Sequence, residues 1–193
     1  METWVNQSYT DGFFLLGIFS HSQTDLVLFS AVMVVFTVAL CGNVLLIFLI
    51  YMDPHLHTPM YFFLSHLALT DISFSSVTVP KMLMNMQTQH LAVFYKGCIS
   101  QTYFFIFFAD LDSFLITSMA YDRYVAICHP LHYATIMTQS QCVMLVAGSW
   151  VIACACALLH TLLLAQLSFC ADHIIPHYFC DLGALLKLSC SDT

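Results

Sequence analysis

The chain has 193 residues, of which 60% are hydrophobic and only 8% charged, with a mean hydropathy of +0.85. Soluble domains carry roughly 25% charged residues, so a water-soluble globule is excluded and lipid is the expected solvent. Four basic residues (Lys81, Lys96, Arg123 and Lys187) against eleven acidic ones give a net charge of −7; the four form no patch, which excludes nucleic acid as a partner.

Residues 1–25 hold Glu2, Asp11 and Asp25 but no Lys or Arg, so they lack the basic region of a cleaved secretory signal. They read as an extracellular tail, and the first span as an uncleaved signal anchor. From Leu26 to Met52 there are 27 consecutive residues without Asp, Glu, Lys or Arg, more than the about 20 needed to cross a bilayer core. Further apolar runs follow, predicting four spans at about 26–51, 59–80, 99–121 and 140–164. The fold class is therefore an all-α membrane protein with a four-helix region over 26–164 and a Cys-rich polar loop over 165–193.

The second and third spans carry the charges that matter. Asp71 lies about twelve residues into the second span and Asp112 about fourteen residues past Cys98, so both are placed at depth, where a carboxylate needs a partner cation or a proton. Asp110 is two residues from Asp112, hence about 200° around a helix, and must serve a different neighbour. The run Thr102, Tyr103, Phe104, Phe105, Ile106, Phe107, Phe108 and Ala109 offers an apolar, aromatic wall of the kind that lines small-molecule pockets, though aromatic residues are also ordinary packing. Helical phase puts Thr102, Phe105, Ile106 and Ala109 on one stripe. At the end of this span Asp122 and Arg123 form a pair that could act as a latch, followed by Tyr124.

Loop charge does not set the orientation, because the connection at 52–58 has no Lys or Arg while Lys81 and Lys96 fall in the next one. Two other signals agree with each other. Asn6-Gln7-Ser8 is a glycosylation sequon, usable only outside the cytoplasm. With the tail outside, Cys98, Cys170, Cys180 and Cys190 all fall on the oxidising side in even number, and sequence alone permits all three pairings. The other five, Cys41, Cys128, Cys142, Cys154 and Cys156, fall in helices or inside, where free thiols behave as small hydrophobes.

The Gly42-Asn43 pair, LHTPMYFFLSHLALTD at 56–71, MAYDRYVAICHPLHY at 119–133, Trp150 and the Cys-rich tail together resemble the vertebrate olfactory receptors, tetrapod type and family 1-like from residue 56 onward. The resemblance covers essentially the whole chain. It implies the first four helices of a seven-helix, rhodopsin-like receptor that detects small volatile odorants and signals through a heterotrimeric G protein from the plasma membrane. It further implies that Asp122, Arg123 and Tyr124 form the switch read by the G protein. Thr102, Phe105, Ile106, Ala109 and Asp110 would face the ligand, and Asp71 with Asp112 would share a sodium ion, with no other cofactor expected. Cys98 would pair with Cys180, leaving Cys170 for Cys190. Dimerisation with another receptor is a further expected association.

Such receptors continue through three more helices, so an alternative reading is a non-signalling four-helix piece, retained in the endoplasmic reticulum or acting as a scaffold. His173, His177, Cys180 and Asp181 also form a candidate metal set, but an oxidised Cys180 has no thiolate to give, and the disulfide is the preferred reading. Enzyme readings fail. There is no Gly-rich phosphate loop, no His-Glu-x-x-His and no Gly-x-Ser-x-Gly, and an acid pair of Asp71 with Asp110 or Asp112 would leave the receptor motifs as coincidence.

Overall fold

A computed structural model describes residues 12–15, 23–87, 92–166 and 174–175. Among the described residues five α-helices follow in chain order: α1 (Gln23–Met52), α2 (Pro59–Gln87), α3 (Tyr95–Cys128), the one-turn α4 (Tyr133–Ile136) and α5 (Gln139–Ala165). Four of them are long and apolar enough to cross a bilayer, over Leu26–Met52, Pro59–Met84, Gly97–Cys128 and Gln139–Ala165. The helical membrane architecture expected from the sequence is present.

Two boundaries differ from expectation. α2 runs through Pro80 to Gln87, because a proline removes one backbone donor and the turns beyond it keep their own bonds. α3 continues past residue 121 to Cys128, so Asp122, Arg123 and Tyr124 are helical residues and not the start of a loop. The sequence there, Tyr-Val-Ala-Ile-Cys, contains no breaker until Pro130, which disfavours helical geometry at His129. The turns on this side are tied locally. Asp53 caps a short 3-10 turn at Pro54–Leu56, its carboxylate accepting from the His55 amide at 2.9 Å. Thr138 caps α5, its hydroxyl accepting from the Gln141 amide at 3.3 Å.

Hydroxyls inside the spans are satisfied within their own helix. Ser30, Thr37, Thr70, Ser113, Ser118 and Ser149 each donate to the carbonyl four residues back, at 2.8 to 3.0 Å, which is how polar residues are carried through a solvent without hydrogen bonds.

α3 is the central helix, packed against α2 on one side and most extensively against α5 on the other, while α1 packs mainly on α2. The buried residues of α5 recur at Cys142, Val146, Ser149, Ala153 and Ala157, a helical stripe of small side chains that lets the two backbones approach. Phe63, Leu111 and Leu115 fill the space between, all fully buried.

Three short strands close one end. β1 (Gly12–Leu15) lies in the middle, antiparallel to β2 (Ala92–Phe94) with Phe14 opposite Ala92, and parallel to β3 (Ile174–Ile175) with Phe14 opposite Ile174. These segments precede the first span, separate the second from the third, and follow the fourth. Their pairing puts all three on one face of the bundle, as four crossings require.

Candidate functional site

At the end of the bundle away from the sheet, Asp122 is 1% exposed yet carries a carboxylate. Its partner is the Tyr133 hydroxyl, which donates to Asp122 Oδ1 at 2.7 Å. Tyr133 opens α4, directly after the 3-10 turn Pro130–His132, so the proline turn folds the chain back over the last turns of α3. Burial, and then donation to the carboxylate, push the Tyr133 phenol up to about 12, which keeps the proton in the bond.

Neighbouring helical residues diverge by about 100°, and the expected Asp122–Arg123 latch is divided by that angle. Asp122 turns inward to Tyr133, while Arg123 and Tyr124 are exposed, and among the described residues no ion pair joins Asp122 to Arg123. The Tyr124 ring meets His129 edge-on at 6.0 Å. Ile127 and Leu131, 77% and 93% exposed, add an apolar surface beside Arg123. Reading the sequence singled out none of Tyr133, Ile127 and Leu131. The available signal was two apolar residues and a tyrosine bracketing Pro130, in the connection between the expected third and fourth spans.

Midway along α3 the picture changes. Asp112 Oδ1 is buried and has no hydrogen-bond partner. Asp71 of α2 lies within electrostatic reach of it across the α2–α3 contact. Asp110 is half-buried on another side of α3.

The stripe proposed for ligand contact splits. Thr102 is buried and its hydroxyl donates to the Cys98 carbonyl at 3.1 Å, and Ile106 packs on the core. Phe105 and Ala109 are exposed, the Phe105 ring lying 5.7 Å from that of Phe74. The division follows from the central place of α3, whose sides toward α2 and α5 are filled. Phe107 and Phe108 are packing residues, and Phe107 meets the Trp150 indole edge-on at 5.7 Å.

Cys98 is buried and disulfide-bonded, whereas Cys41, Cys128, Cys142, Cys154 and Cys156 are free thiols. The expectations for Asn6, Cys170, Cys180 and Cys190, and for the His173, His177 and Asp181 set, lie outside the described residues.

Comparison with known proteins adds a family. The family model described as "Olfactory receptor" matches residues 32–193. The chain is 82% identical over 188 residues to "Olfactory receptor 1J1" of Homo sapiens, covering 97% of this chain and 58% of that protein. It is 69% identical to "Olfactory receptor 1J1" of Mus musculus and 64% identical to "Olfactory receptor 1J2" of Homo sapiens, in each case over 97% of this chain and 60% of the relative. The chain thus spans about three fifths of the length of these curated relatives.

Proposed function

The chain belongs to the olfactory receptor family, whose members are receptors and not enzymes, and from that premise we propose that it serves in odorant detection coupled to a heterotrimeric G protein. In this reading the sheet-capped end faces the exterior of the plasma membrane and the Asp122 end faces the cytoplasm. No bond is made or broken; ligand binding shifts an equilibrium between helix arrangements that the G protein reads.

The observation that carries the reading is the end of α3. Asp122 is occupied by Tyr133, which leaves the Arg123 guanidinium exposed beside Ile127 and Leu131. A permanently charged, five-donor group next to an apolar surface suits a partner helix that ends in carbonyls or carboxylate. At the other end, the exposed Phe105 and Ala109 with the half-buried Asp110 form the face assigned to a small volatile ligand.

We propose also that Asp71 and Asp112 share a monovalent cation. The orphaned Asp112 oxygen supports this, since a buried carboxylate oxygen with no donor is costly. A bound sodium ion would supply the positive charge that lets both carboxylates stay ionised at that depth.

The test is expression in cells carrying a cyclic-nucleotide reporter and a surface label on the amino terminus. The proposal expects surface labelling and an odorant-dependent rise that Arg123→Ala abolishes. Intracellular retention with no response to any of a broad odorant panel would instead favour a non-signalling, retained or scaffolding role.

A further inference from the structure

Thr78 and Lys81 of α2 and Gln101 of α3 carry polar side chains that the readings above do not use. All three are half-buried, and among the described residues none of them makes a hydrogen bond or an ion pair. Thr78 differs in this from Ser73, earlier on the same helix, whose hydroxyl donates to the Leu69 carbonyl at 2.9 Å.

The α2–α3 contact brings the three together. The Phe74 ring of α2 meets the rings of Phe105 at 5.7 Å and Phe108 at 5.9 Å on α3, which fixes the facing sides of the two helices. Thr78 and Lys81 follow Phe74 by four and seven residues, and Gln101 precedes Phe105 and Phe108 by four and seven. Such steps return to within about 40° of the starting direction, so the three side chains leave their helices on the sides that face each other. Seven residues are about 10 Å of helix. Lys81 and Gln101 are therefore level, both displaced toward the sheet-capped end, with the aromatic rings as a floor beneath them.

No described carboxylate answers the ammonium. Asp71 is ten residues from Lys81, about 15 Å along α2, and Asp110 leaves α3 about 200° from Phe108. A half-buried cation in a span is costly without a counter-charge, and the carboxamide and hydroxyl beside it add donors for the same anion. A single positive charge matches a monoanion, and the aromatic floor matches an organic body. We propose that Thr78, Lys81 and Gln101 bind the carboxylate of a small organic acid whose apolar part rests on Phe74 and Phe105. Small carboxylic acids are then the ligand class of the receptor reading, on which this assignment rests.

The test titrates the full chain, in phosphatidylcholine nanodiscs at constant sodium, with hexanoate, hexanamide and acetate. Binding is read by saturation-transfer NMR against empty nanodiscs. No G protein is needed, so a failure to bind is told apart from a failure to couple. Hexanoate is expected to bind saturably and roughly tenfold more tightly than hexanamide, which lacks the charge, or acetate, which lacks the apolar body. Lys81→Gln should weaken hexanoate roughly tenfold, with the thermal midpoint read alongside to exclude misfolding. Lys81→Arg keeps the charge and should stay within about threefold of the unaltered chain, and Gln101→Ala should weaken binding about threefold. Three results overturn the proposal: no saturable hexanoate binding, hexanamide or acetate bound as tightly as hexanoate, or hexanoate bound equally well by Lys81→Gln.

Discussion

Asp112 and Asp122 stand on one helix, about 15 Å apart along its axis, and each places a carboxylate oxygen out of reach of water. Asp122 is fastened by a 2.7 Å bond from Tyr133, whereas Asp112 Oδ1 has nothing to accept from and another carboxylate for a neighbour. The contrast teaches that burial of an acid has two meanings in a membrane helix. With a donor from the adjoining turn the acid holds structure in place, and without one it is left in need of a cation or a proton.

Breaking the fastened carboxylate should have the larger consequence. Asp122→Ala deletes a charge-assisted bond at a buried position and is expected to lower stability by about 2–3 kcal/mol, read as a drop in the thermal midpoint in detergent; an unchanged midpoint would show that the bond is not structural. Tyr133→Phe removes only the donor and should cost roughly 1.5 kcal/mol. Combined with Asp122→Asn it should add little, because both changes remove the same bond.

The unpartnered carboxylate should respond in the opposite sense. Asp112→Asn is expected to raise the midpoint in sodium-free buffer by about 1 kcal/mol equivalent, and to erase the stabilisation that added sodium gives the unaltered chain. Equal sodium responses in the two proteins would remove the shared-cation reading.

The smallest effect should come from pH. The Tyr133 phenol is raised from 10 to about 12, so the folded state holds that proton more tightly than the unfolded chain does. Its contribution is therefore complete below pH about 10 and is lost as pH rises toward about 12. The difference between the unaltered chain and Tyr133→Phe in alkaline melts should shrink over that window.

Much of this was legible from residues alone, and the failures have physical causes. The spans could be found because uninterrupted apolar length is a local property, as in Leu26–Met52. The end of α3 was misplaced because Asp122 looked like a charge seeking water. Only the tertiary return of Tyr133 makes that position compatible with a helix interior, although Tyr133 stands within the same motif. The meeting of Asp71 with Asp112 was anticipated from family resemblance and depth. The splitting of the Thr102–Ala109 stripe was not, since helical phase says which residues share a side but not which side a neighbour fills. The sheet had no local signature, its strands being four, three and two residues long and far apart in sequence.

That sheet has a consequence for how the molecule is made. β1 leaves the ribosome first, yet Ile174, the partner of Phe14, is translated 160 residues later. At about 5–20 residues per second that is a delay of roughly ten to thirty seconds. Through this interval the edge of the strand that takes β3 keeps its backbone groups unpaired. Its pairing with both β2 and β3 is therefore complete only after the fourth crossing has been made.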